Sequence, residues 1–222
     1  MATPETAAQA TDRDRLVTRR ALVILGAGEH AEVVADAARS GDSPWDVEGF
    51  ISQSAEANLR ERLAAAPMGD RPALVIGFGA SATDRAAAVA RFDENVTWAT
   101  IVHDSAWISP SAEVSPGAVV LAGAVVNAGA RVGRHAIVNT GAVVEHGVRL
   151  GDFVHVGPGA TLGGGAAVGD HAQVGLGAAV RDHVSIGARG TVGMGAVVVA
   201  DVPTDAVVVG NPARAVERTP DA

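Results

Sequence analysis

Glu145-His146 and His155 carry the most pointed chemistry in this chain of 222 residues. With Asn139-Thr140 they form one polar cluster in a region otherwise made of Gly, Ala and aliphatic residues. A neutral imidazole accepts a proton from an incoming amine or hydroxyl near neutral pH. A carboxylate beside it, Glu145, could orient or tune it. His146 is the candidate general base; as plain structure it would be a solvated corner. A region kept only for structure has no need of titratable groups gathered in one place.

A second constellation lies near the start. Gly26-Ala27-Gly28-Glu29-His30-Ala31 follows the apolar run Ala21–Leu25 and opens a helical pattern. Glycines at a strand-to-helix turn let backbone N–H groups approach an anion, and the helix dipole adds to the attraction. His30, in the first helical turn, could hydrogen-bond a base, ribose or phosphate. Gly77-Phe78-Gly79 is a second glycine-rich turn after another apolar run, and ligands gather at such strand ends. A dinucleotide site would want an acidic residue at the end of the second strand, where this chain has Ser52-Gln53. A nucleotide sugar or other phosphorylated ligand fits better than NAD; a tight turn with no ligand is the bland alternative.

The elements that position these residues are legible. Strands over 21–25, 47–51 and 73–77 alternate with helical patterns over 31–40, 53–66 and 80–92, a small parallel βαβαβ domain. From Val102 to Val198 an aliphatic residue recurs at every sixth position, and from Ala112 onward a small residue follows four places after it. That period predicts a parallel β-helix, with three steps to a coil and roughly five coils stacked on one another. Pro203 is expected to end the repeat. The fold class is therefore α/β plus all-β. Its domains are a polar tail over 1–18, a Rossmann-like domain over 19–96 and a β-helix over 97–216, with fraying past Val216.

His146 and His155 lie half a coil apart, so they do not stack within one chain, though they could line one groove between neighbouring solenoids. His135, Phe153 and His171 fall one coil apart in succession and should stack on one exposed side, as surface or subunit packing. No pair of His with a carboxylate has metal-ligand spacing on one face, so no metal is expected.

Composition narrows the class. Net charge is −8 and all 17 basic residues are Arg, which argues against nucleic-acid binding. No apolar run is long enough to span a membrane, and the first residues do not read as a secretory signal, so a cytoplasmic protein is expected. With no Cys and no evident activated Ser, a covalent acyl-enzyme is disfavoured.

The hexapeptide repeat closing in Asp201-Val202-Pro203 and Gly210-Asn211-Pro212-Ala213-Arg214 resembles the left-handed β-helix acyltransferases. The loop Gly26–His30 and the segments Asn139–His146 and Gly151–Val156 are similar to those of one subfamily. It holds the bacterial N-acetyltransferases of nucleotide-linked amino sugars and the sialic-acid O-acetyltransferase-like proteins. The resemblance spans about residues 20–216. It implies a left-handed β-helix, a homotrimer with sites between adjacent solenoids, and acetyl-CoA as co-substrate. It puts the general base on His146 and the acetyl-CoA contacts on His155, Leu176 and Met194. The nucleotide of the acceptor sugar would lie at Gly28, Glu29 and His30, with Gly77 in the facing loop. Subfamily members that act on bacillosamine-type UDP-sugars carry a carboxylate where this chain has Gly147 and an Asp pair where it has Ser52-Gln53.

The expected reaction is direct transfer of acetyl from acetyl-CoA to the amine of a nucleotide-linked amino sugar. The alternatives are O-acetylation of a sugar hydroxyl, or a non-catalytic β-helix trimer that senses a nucleotide. Arg181, Arg189 and Arg214 are candidate partners for the anionic groups of CoA, since no Lys is available.

Overall fold

A computed structural model describes residues 19–79, 81–92 and 96–216. The expected tail over 1–18 and the residues past Val216 lie outside the described residues. The first domain runs β1 (Arg20–Leu25), α1 (Glu29–Arg39), β2 (Trp45–Ile51), α2 (Glu56–Ala65), β3 (Ala73–Ile76) and α3 (Ala82–Ala90). Its sheet is parallel in the order β2-β1-β3. Leu22 and Ile24 pack on one side with Val34, Ala35 and Ala38 of α1. Val23 and Leu25 pack on the other with Leu59 and Leu63 of α2 and with Phe92. Burial on both sides explains why β1 reads as an unbroken apolar run. The second helix is shorter than its pattern, because Gln53–Ala55 form a 3₁₀ turn before it.

Beyond Thr100 the chain winds as a parallel solenoid of two-residue strands. Partners differ by 18 positions, as in Ile137 with His155 and Val143 with Thr161. Its three faces carry eight, six and five strands. The inward residues Val120, Val126, Val132, Val138, Val144, Leu150 and Val156 are buried in one core with the small corner residues.

Two ends depart from the expected pattern. Val102, the first inward position by sequence, is 37% exposed, because no coil lies beneath it to cover it. At the other end Pro203 does not stop the stack. Val202 bridges to Ile186, and Val207–Val208 pair with Thr191–Val192 at a spacing of 16. The last coil is two residues short, and the antiparallel return of Arg214–Val216 then covers the edge strand.

One corner of the solenoid carries His135, Phe153, His171 and Arg189, all with left-handed backbone (φ between 53° and 60°). The His135, Phe153 and His171 rings stack at 5.1 and 5.0 Å, as their spacing predicts. His135 is not on the surface, however: it is 2% exposed. Trp98, from the segment joining the domains, meets it edge-on at 4.8 Å.

The two domains share a core. Ile101, Val119 and Leu121 of the first solenoid face are buried against α1 and β1. Each such side chain contributes about 1.5–3 kcal/mol, ample to hold the domains as one body. Ile137 continues that face and is buried; His155, beside it in the ladder, is half-buried at the edge of the covered area. Among the described residues no helix is long and apolar enough to cross a membrane.

Candidate active site at the domain junction

The junction brings together residues that are far apart in sequence. His155 points outward from the first face, since Val156 takes the inward place. Its Nε2 meets Asn139 Nδ2 at 3.1 Å. Burial, the Arg85 charge and the His30 ring push His155 down to about 4, against a smaller opposing effect of the Gly79 backbone. His30 stands at the start of α1 with its ring against Gly79. Burial, then the Arg85 charge, lower it as well. His30 and His155, one from each domain and each predicted as a site residue, therefore sit in one neutral, half-buried patch.

Arg85 underlies that patch. Its side chain is 1% exposed; Nη1 donates to the Gly79 carbonyl at 2.8 Å and Nη2 to the Phe153 carbonyl. Burial lowers it to about 10. Burying a charge costs several kcal/mol, and each charge-assisted bond returns about 1.5–3 kcal/mol. The balance is near zero, so Arg85 contributes little net stability. Five buried side-chain nitrogens lack a protein partner among the described residues: His30 Nε2, Arg85 Nε, both His135 nitrogens and His155 Nδ1. All belong to this junction. Unsatisfied buried polar atoms are rare in native folds and need a reason.

Beside the patch, at the carboxyl ends of the strands, lies a cavity of about 400 Å³. Gly26, Ala27, Ser52, Gln53, Phe78 and Asp84 line it, and the Glu56–Arg91 ion pair (2.6 and 3.0 Å) forms part of its wall. Gly26 has φ 117°, and a Cβ there would lie 3.1 Å from the Phe78 ring, so only glycine makes this turn. Gly28 caps α1 without a side-chain bond, which leaves the first-turn amides to a ligand. Gly28 and Glu29 are exposed at that end. Gly77 is buried, with no room for a Cβ between Ile24 and Ala31; it shapes the loop from behind.

His146 occupies a different corner of the solenoid and is exposed. Its ring lies over Gly164, one coil on, where a Cβ would sit 2.5 Å from Cε1 and Nε2. Glu145 does not reach that ring: its Oε2 accepts the His146 backbone N–H at 3.2 Å. Leu176 and Met194, also one coil apart, are 54% and 78% exposed at a third corner. Arg189 is already bound to Asp205 by two bonds of 2.6 and 2.8 Å, which leaves Arg181 and Arg214 as the exposed candidates for CoA.

Sequence reasoning missed Arg85, Asn139 as the partner of His155, and the cavity residues Glu56, Asp84 and Arg91. Arg85 did leave a signal, since it breaks the apolar stripe of α3 between Ala82 and Ala88.

No protein-family model matches the chain, and no curated protein does. Solved structures do. PerB from Caulobacter crescentus, in complex with CoA and GDP-perosamine, is 32% identical, with 89% of this chain and 97% of that one covered and a TM-score of 0.81. The same enzyme, called GDP-perosamine N-acetyltransferase, was also solved with one histidine replaced by Ala or Asn. The acetyltransferase domain of PglB from Neisseria gonorrhoeae FA1090, with acetyl coenzyme A, is 30% identical over 89% of this chain and 100% of that one, with a TM-score of 0.76. WeeI from Acinetobacter baumannii AYE shares the fold at 24% identity, with 88% and 99% covered and a TM-score of 0.73.

Proposed function

The chain belongs to the left-handed β-helix nucleotide-sugar N-acetyltransferases, which are acetyl-CoA-dependent enzymes, and from that premise we propose that it acetylates the amine of a nucleotide-linked amino sugar with His146 as general base. One observation carries this reading. The chain spans 97% of an enzyme crystallised with both CoA and GDP-perosamine, so it has both the α/β domain and the solenoid that such a ligand pair requires.

In the proposed reaction the sugar amine attacks the thioester carbonyl of acetyl-CoA. His146 takes the proton the amine loses, the new N–C bond forms, the C–S bond breaks, and the CoA thiolate receives that proton from His146 to leave as its thiol. A solenoid backbone N–H stabilises the tetrahedral oxyanion. Glu145 supports His146 by holding its backbone amide. His155 offers Nδ1–H, which makes no hydrogen bond within normal distance among the described residues, to the acetyl group, and Leu176 and Met194 give apolar surface to CoA. Gly28, Glu29 and His30 take the nucleotide at the head of α1, with Gly77 shaping the facing loop. His146 sits at a corner and His155 on the first face of one solenoid, a separation that favours a homotrimer in which grooves between copies complete each site. With these co-substrates we read the protein as cytoplasmic.

The experiment is thiol release from acetyl-CoA with a panel of nucleotide-linked amino sugars, GDP-perosamine first, for the native protein and His146→Ala. A positioned base contributes about 10²–10⁴ in rate, so a loss of that size with the assembly intact is expected. Full activity in His146→Ala removes it from the mechanism. Silence across the panel with acetyl-CoA still bound turns the reading to O-acetylation.

A further inference from the structure

Arg85 is the buried group that the reaction above leaves without a role. It joins two backbones across the domain boundary, through Gly79 on one side and Phe153 on the other. Both carbonyls are next to site residues. Gly79 backs the His30 ring, with a built Cβ only 3.4 Å from His30 Nε2. Phe153 precedes His155 by two residues in the same coil. No salt bridge to Arg85 exists among the described residues. An apolar side chain of similar length would fill the space without burying a charge. What the cation adds is a rigid two-pronged link and an uncompensated positive charge at the point where the domains meet.

We propose that Arg85 is a positioning residue for acetyl transfer, seating the Gly77–Gly79 loop and His30 on the coil that carries His155 and placing an uncompensated positive charge behind both rings; this rests on the acetyltransferase reading. Burial keeps both imidazoles neutral and the charge acts in the same direction, so each retains one lone pair and one N–H. It also favours the anionic diphosphate of a nucleotide sugar at the nearby head of α1.

The test compares Arg85→Met with Arg85→Lys, because Lys keeps the charge and loses the fork. Three readouts separate positioning from bulk stability: histidine titration by NMR, amide exchange over 78–79 and 153–155, and steady-state kinetics. In Arg85→Met the His155 midpoint should rise above about 4 by the charge's share, while burial still holds it below 6.5. Amide exchange in both segments should quicken by roughly tenfold or more, and kcat should fall by a similar factor, with the acetyl-CoA KM within about twofold. In Arg85→Lys the exchange should quicken in the same way while the His155 midpoint stays low. Unchanged titration and exchange in a folded Arg85→Met overturn the proposal, as does a loss of kcat matched by an equal loss of folded protein. If Arg85→Met does not fold, Arg85→Lys is decisive: native exchange and native kcat there overturn the proposal. If the native protein transfers no acetyl group, the acetyltransferase reading fails. Titration and exchange of the unliganded protein then still show whether Arg85 seats the loop.

Discussion

Asn139 Nδ2 donates to His155 Nε2 at 3.1 Å, while the Thr140 amide donates to Asn139 Oδ1 at 2.8 Å. The second bond fixes which end of the carboxamide meets the ring. Nε2 is therefore the acceptor, and the ring proton sits on Nδ1. Asn139→Asp puts an acceptor where the donor was. It should draw the proton to Nε2 and favour the imidazolium, raising the His155 midpoint from about 4 by about 1–3 units. NMR of the ring nitrogens reads both effects, and an unmoved midpoint would mean that Asn139 does not set the state of the ring.

The His146 ring depends on a missing methyl group. Gly164 is outside the left-handed region, so alanine is allowed by the backbone, yet its Cβ would lie 2.5 Å from the His146 ring. The ring is the mobile end of an exposed side chain, so it moves and the fold does not. Gly164→Ala should melt within a few degrees of the native protein and lose about 10²-fold in kcat, as misplacement of a catalytic group costs. Native kcat in this variant would show that the imidazole works from another rotamer.

Glu145 accepts the backbone N–H of His146, not a ring N–H. A glutamine can do the same through its amide oxygen. Glu145→Gln should therefore retain kcat within about threefold with an unchanged pH profile, while Glu145→Ala frees the amide and loses about tenfold. A loss near that of His146→Ala in the glutamine variant would instead place the carboxylate on the imidazole in the assembled enzyme.

How much of this was legible follows from the length scale of each contact. The prism core was, because one side chain in six points inward and Val120, Val138 and Val156 repeat at the coil spacing. The stacked rings of His135, Phe153 and His171 were for the same reason. The burial of His135 was not, since it depends on Trp98 folding across the corner, a contact outside the repeat. The Val102 exposure came from the end of the solenoid, which periodicity does not describe. The His30–His155 meeting needed the docking of α1 on the first face, and that docking rests on Ile101, Val119 and Leu121. All three occupy positions off the beat, which the six-residue count treats as spacers. Arg85 was the readable omission, a cation on an apolar stripe.

Burial holds His135 and His155 neutral, each pushed from 6.5 to about 4, and lowers His30 in the same direction. At His135 and His155 the unfolded chain binds protons near pH 6.5; the folded chain does not until about pH 4. Stability is therefore complete above pH 6.5 and falls as pH drops through this window. Each of these two costs about 1.4 kcal/mol per pH unit there, or about 2 kcal/mol by pH 5, and His30 adds in the same direction. Total stabilities of about 5–15 kcal/mol are typical, so urea midpoints should drop visibly between pH 8 and pH 5 at fixed protein concentration. His135→Phe isolates one contribution. Phe153 already adopts the same backbone conformation one coil on, at φ 59° against 53°, and stacks in the same column, so phenylalanine suits the site. The variant should lose about 2 kcal/mol less than the native protein over that interval. An equal loss would remove His135 from the linkage and leave His155 and His30 to account for it.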